Sequence, residues 1–249
     1  MRRSSLITAA ALALLALAPA HAQTTAFEGA RVIVGDGRVI ENATIVVSGD
    51  RIAAVGAAGQ VQVPAGAARQ NLAGKTVMPM LIDAHVHLSP ARDALVRDLR
   101  RRAWYGVSAA ASMGTDNYDL LAIRQEAIPG AARYLSAGRG ITMPEPGRIT
   151  TPHWINNEDE GRKAIRELAQ HKVDIVKIWV DDRGGRFKKL SPDIYGAIID
   201  EAHRHGLRVA AHIFTMEDGK GLIRAGVDAL AHGVRDVDID EDFIALVKQ

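Results

Sequence analysis

The residues of this 249-residue chain best suited to chemistry are histidines at alternating positions. In Asp83-Ala84-His85-Val86-His87-Leu88, extended backbone sends Asp83, His85 and His87 to one face and Ile82, Ala84, Val86 and Leu88 to the other. Two strand rises set the imidazoles roughly 6.6 Å apart. That is close enough to share one metal ion, and neutral imidazole nitrogens suit zinc, iron or nickel. A lone His-x-His is also found as a hydrogen-bonded pair in a core, and the chain carries its own control. His203-Arg204-His205 has the same spacing but falls near a predicted helix end, where residues i and i+2 do not face each other. It reads as a solvated terminus whose cations favour the helix dipole.

Three further polar residues interrupt or close apolar strands: Lys177 inside Val173–Val180, His212 after Val209-Ala210-Ala211, and His232 after Ala229-Leu230-Ala231. Each histidine alone is as readily structural as functional. A buried lysine costs more, because an unpaired ammonium in a core loses its hydration or gives up its proton. An ion pair with a neighbouring carboxylate is the plain alternative.

The elements that must position these groups begin near Val77, where strand and helix alternate as in a parallel α/β sheet or barrel. Strands near 81–88, 106–112, 132–137, 173–180, 207–213 and 227–232 give six β/α units. Helices are predicted over Ala91–Tyr105, Tyr118–Ala127, Asn157–His171 and Met216–Ala225. Another runs from Ser191-Pro192, a good N-terminal start, to Gly206, a good C-terminal stop. His85, His87, Lys177, His212 and His232 then meet at the C-terminal ends of parallel strands, the face on which α/β barrels keep their active sites. The set is far more specific than any member.

Before this region, from Ala26 to about Thr76, short β-branched runs alternate with Gly35-Asp36-Gly37, Ser48-Gly49-Asp50 and Gly56, the mark of hairpins. Met1–Ala22 has the layout of a secretory signal peptide: Arg2-Arg3, an apolar stretch from Leu6 to Ala18, and Ala20-His21-Ala22 for cleavage. That stretch is short for a membrane span, which needs about 20 apolar residues. The expected organisation is a signal peptide over 1–22, a small β domain over 23–76 and an α/β barrel over 77–249. A secreted or periplasmic product with no membrane contact after cleavage follows. The absence of cysteine excludes disulfide and Cys-zinc scaffolds, and 47% hydrophobic residues exclude disorder. Thirty-one Lys+Arg against 29 Asp+Glu leave no basic footprint for nucleic acid.

The stretch Val77-Met78-Pro79-Met80-Leu81-Ile82-Asp83-Ala84-His85-Val86-His87-Leu88 follows a β segment. Val176-Lys177-Ile178, His212 and Ala231-His232-Gly233 come after it in order. Together they resemble the amidohydrolase superfamily of metal-dependent hydrolases, in particular an exported branch similar to imidazolonepropionases and Xaa-Pro or Xaa-Arg dipeptidases. The resemblance implies a (β/α)8 TIM-type barrel, here incomplete, with the β segment forming part of a composite β-sandwich. It implies that His85 and His87 bind one divalent ion and that His212 and His232 bind a second, zinc being the expected metal. Lys177 would bridge them as its CO2 adduct, a carbamate, which turns a costly cation into an anionic oxygen ligand. Met80 stands where the family usually has Gly. The family's proton-transferring Asp follows an eighth strand, beyond Gln249, so the chain is expected to be a C-terminally truncated and inactive piece.

The implied activity is hydrolysis of amide-type carbon–nitrogen bonds in a small molecule: a dipeptide, an N-acyl compound or a cyclic amide. Substrate contacts are expected from His153, Trp179 and Arg235, and from the loops Met113–Asn117, Gly138–Asn157 and Asp181–Lys189. Two readings compete. One is a one-metal deaminase or imidazolone-type hydrolase without a lysine bridge. The other is a non-catalytic exported binding protein. Homo-oligomer formation stays open.

Overall fold

The computed structural model describes residues 23–249; the expected signal peptide, residues 1–22, lies outside the described residues. The described chain forms two compact units that divide between Pro79 and Met80. Among the described residues no helix is long and apolar enough to cross a membrane.

The first unit is all β. Strands β1 (Thr24–Ile33) and β2 (Val39–Ser48) pair antiparallel around Gly35-Asp36-Gly37. Both glycines have positive φ there, and the Asp36 carboxylate accepts the Arg38 N–H at 3.0 Å. Strand β3 (Arg51–Ala57) continues the meander through Gly49-Asp50, while β4 (Ala68–Asn71) and β5 (Thr76–Val77) run parallel to the other edge of β1. Ala30, Val32, Ala43 and Ile45 form its small core.

The second unit is a mixed α/β fold whose strand pairings are all parallel apart from an isolated Thr115–Arg139 bridge. In chain order it holds β6 (Leu81–Val86), α1 (Arg92–Trp104), β7 (Val107–Ser112), β8 (Arg133–Ser136), β9 (Ile141–Thr142) and β10 (His153–Trp154). It continues with α2 (Glu158–Gln170), β11 (Val176–Trp179), α3 (Pro192–Arg204), β12 (Val209–His212), α4 (Met216–Arg224), β13 (Ala229–Leu230) and α5 (Glu241–Val247). One sheet has the order β6-β7-β8 and the other β10-β9-β11-β12-β13. Asp174 joins them: its N–H donates to the Ser136 carbonyl at 2.9 Å and its carboxylate accepts the Ser136 N–H at 2.8 Å.

Strand alternation decides which side chains reach the site. Val176 and Ile178 of β11 enter the core with Ile165 and Leu168 of α2 and Ile198 of α3, which sends Lys177 and Trp179 to the opposite face. The parallel register pairs Lys177 with Ala210 and Trp179 with His212, so His212 shares that face. Helices α2 and α3 approach closely because position 161 is glycine; a Cβ there would lie 2.9 Å from Ile198. At the start of α2, Asn157 accepts the Glu160 N–H while Glu160 reaches back to the Asn156 N–H.

Three elements depart from the sequence reading. The helix expected over Tyr118–Ala127 is a 3-10 helix over Tyr118–Gln125, in which Leu120, Leu121 and Ile123 are all buried and so wrap the turn instead of striping one side. The stretch read as a long loop over Gly138–Asn157 contains the two-residue strands β9 and β10. Ser191 stands at the N-cap of α3, but its hydroxyl makes no capping bond.

Candidate metal centre

His85 sits on β6, His87 one residue past it, Lys177 on β11, His212 at the end of β12 and His232 two residues past β13. The structure brings all five together. His85 and His87 rings meet edge-on at 5.3 Å between centroids, His85 and His232 lie 4.7 Å apart, and His212 and His232 meet edge-on at 4.6 Å. The Lys177 Nζ stands 3.2 Å from His85 Nε2 and 5.3 Å above the Trp179 ring. Lys177 is fully buried, and among the described residues no carboxylate salt-bridges it.

Second contacts fix which ring nitrogens are free. His85 Nδ1 lies 3.3 Å from the Ala231 carbonyl oxygen, an acceptor, so Nδ1 carries the hydrogen and Nε2 turns its lone pair toward Lys177. His87 Nδ1 is 3.4 Å from the Thr115 hydroxyl. Burial, more than any charge, pushes the His212 and His232 pKa values down to about 4, and it lowers those of His85 and His87 as well. All four imidazoles are therefore neutral near pH 7, the form that binds metal. Burial also pushes the Lys177 amine down to about 8. At that value roughly a tenth of it is uncharged at pH 7, and an uncharged amine is the form that can react with CO2.

Among the described residues, no group of three or more His, Cys, Asp or Glu side chains is disposed to hold an ion by itself. The donor set still fits a metal pair, for a chemical reason. Each histidine pair supplies two imidazole donors, one short of a three-donor site, and the Lys177 amine beside His85 is the group whose adduct could supply a third.

Beside the cluster lies a cavity of about 380 Å³ whose wall includes His87, Thr115, Trp179, Glu145, Arg148 and Arg183, with Leu88, Ile149 and Pro152 as apolar lining. Trp179, one of the residues expected to contact substrate, lies in this wall, stacked on His87 at 6.4 Å. It lies against the backbone of Gly114 and Gly140: a Cβ on Gly140 would come 2.2 Å from the indole. His153 and Arg235 do not line this cavity. His153 Nε2 bonds the Tyr118 hydroxyl at 2.9 Å, and the Arg235 guanidinium donates to the Ile213 carbonyl at 3.0 Å and lies over Phe214.

Two buried carboxylates had been read only as members of open loops. Asp116 is wholly buried and accepts from Ser112, Tyr134 and Ser136 at 2.7, 2.7 and 2.5 Å, which locks the loop carrying Thr115 onto β7 and β8. Asp181, two residues after β11, is held by Arg183 and His212. The hint in the sequence was a carboxylate at the end of an apolar strand, the same signal that singled out the histidines.

No protein-family model matches the chain. An uncharacterised protein of Mycobacterium tuberculosis is 30% identical over 186 residues, which are 70% of this chain and 48% of that protein. Ochratoxinase of Aspergillus niger is 24% identical over an aligned length of 270, covering 85% of this chain and 55% of the enzyme. Among solved structures, a Bifidobacterium longum protein provisionally described as a prolidase superposes with a TM-score of 0.76 at 28% identity, over 91% of this chain and 57% of that one. The chain spans about half the length of the relatives it matches in sequence. The fold is mixed α/β and consistent with these neighbours. Likeness in sequence and in fold to these hydrolases supports a place in the amidohydrolase superfamily.

Proposed function

We propose that this chain carries most of a binuclear hydrolase site, within an incomplete (β/α)8 barrel, that cleaves amide-type carbon–nitrogen bonds in small molecules. The observation that carries the reading is the fully buried Lys177 amine, set beside four clustered imidazoles with no carboxylate of the described residues salt-bridged to it. In this reading His85 and His87 hold one divalent ion, His212 and His232 a second, and Lys177 bridges them as a carbamate. To form it, the uncharged Nζ attacks CO2, its lone pair makes the N–C bond, and one N–H proton leaves to solvent, giving an anionic carboxylate. When bound, the ions would lower the pKa of a water and polarise the scissile carbonyl.

The remaining tasks fall to the chain's own residues. His87 and Trp179 form the floor between the donors and the cavity, Leu88, Ile149 and Pro152 exclude water from an apolar substrate group, and Arg148 offers a half-exposed guanidinium to an anionic one. The names of the ochratoxinase and prolidase relatives fit an N-acyl or dipeptide substrate. The chain spans about half the length of the relatives it matches in sequence, so turnover is assigned to the whole protein and metal binding is the property to test on this chain. Export through the 1–22 segment is part of the same proposal.

Metal counting on the purified mature chain, after incubation with Zn2+ and bicarbonate and removal of free ion, is expected to give two ions per chain. One ion, unaffected by bicarbonate, would favour the one-metal deaminase-type reading, and none would refute both.

A further inference from the structure

Resting on the metal-site reading above, we infer that Asp181 is a positioning residue for His212, and that Arg183 ties it to the cavity wall. The Asp181 Oδ2 lies 2.9 Å from His212 Nε2. A carboxylate can only accept, so Nε2 carries the hydrogen and the Nδ1 lone pair is the one left for a ligand. His212 is thus presented through the opposite nitrogen from His85, whose Nδ1 faces a carbonyl and whose Nε2 faces Lys177. Sequence spacing gives no sign of this difference.

Asp181 is held hard. It is buried, and it accepts the Arg183 backbone N–H at 2.8 Å and the Arg183 Nη1 at 2.7 Å. To make both bonds Arg183 adopts φ +58°, the left-handed region a long side chain rarely enters. Such an outlier persists where its surroundings over-determine it, and these do so. The same guanidinium donates to buried Glu145 at 3.3 Å and lies 3.4 Å from His212 Nε2, while Glu145 also pairs with Arg148 at 2.6 Å. Arg183, Glu145 and Arg148 all line the cavity. A chain of ion pairs and hydrogen bonds therefore runs from the exposed Arg148 through Glu145, Arg183 and Asp181 to the His212 ring. Carboxylates that orient a ligating imidazole in this way fix its tautomer and raise its basicity.

The test is zinc and cobalt affinity by chelator competition on the whole mature chain. Asp181→Ala should weaken the weaker-binding ion by about 10–100-fold. Asp181→Asn, which keeps an acceptor for Nε2–H, should recover most of the loss but shift the visible spectrum of the cobalt form. Arg183→Ala, which spares the Asp181–His212 bond, should stay within about threefold of the parent on the same scale. Should Asp181→Ala fail to fold, the Asn variant decides, and a cobalt spectrum identical to the parent's would overturn the inference. So would an Ala variant with parental affinity, or an Arg183→Ala loss as large as that of Asp181→Ala, which would make the loop and not the carboxylate the agent. If the parent chain binds no metal, the hydrolase-site reading itself fails. If the parent binds and Asp181→Ala is indistinguishable, only the present inference does.

Discussion

Lys177→Met should bind at most one ion per chain where the parent binds two, and it should be at least as stable to denaturant. The two effects have one cause. Lys177 is fully buried, is salt-bridged to no carboxylate among the described residues and is desolvated enough to bring its amine down to about 8. A methionine of similar length returns the apolar packing and removes the cost of burying the amine, and such replacements of buried charge are often neutral or stabilising by about 1–4 kcal/mol. It also removes the atom that could be shared between the His85–His87 and His212–His232 pairs. Metal analysis and urea denaturation on the same preparation separate the two. A variant that loses stability yet keeps both ions would mark Lys177 as a structural residue.

Gly140→Ala should destabilise the second unit by about 1–3 kcal/mol or more, far beyond an ordinary glycine replacement, because it overpacks a closed site. The added Cβ would lie 2.2 and 2.8 Å from two indole carbons of Trp179 and 3.0 Å from the Lys177 carbonyl oxygen. The backbone cannot retreat on the Lys177 side, since Ile178 of the same strand pairs with Ile141 in the sheet. The ring must therefore swing out, losing its stack on His87 and its place in the cavity wall. The emission maximum of the Trp179 indole should move to the red, and Trp179→Leu in the same chain should recover part of the stability. Equal denaturation midpoints for parent and Gly140→Ala would contradict this packing.

How much of this was legible in the sequence depends on how far each partner lies along the chain. Period-two alternation is local, so the shared face of His85 and His87 could be read directly, and an apolar strand interrupted by one lysine singled out Lys177. The positions of His212 and His232 after short apolar runs were visible for the same reason. Asp181 was not, because its partner lies 31 residues on and only the parallel register of β11 and β12 brings them together. Asp116 looked like a solvated loop residue; its three hydroxyl partners come from two strands, and the polar composition of Ser112, Tyr134 and Ser136 disguised a buried network. His153 was expected at the substrate from its place in the stretch Gly138–Asn157 after a strand, and no local signal pointed to the Tyr118 hydroxyl, 35 residues away, that its ring engages. Strands β9 and β10 are two residues each, too short for any periodicity to register.

The whole reading turns on two cations gathered around one amine. An anomalous-scattering map at the zinc edge, from crystals of the mature chain grown with Zn2+ and bicarbonate, measures that directly. Two peaks are predicted, one against His85 and His87 and one against His212 and His232, with continuous electron density running from the Lys177 Nζ to both. A bare amine flanked by no peak, or zinc found only on surface histidines such as His203 and His205, would contradict it.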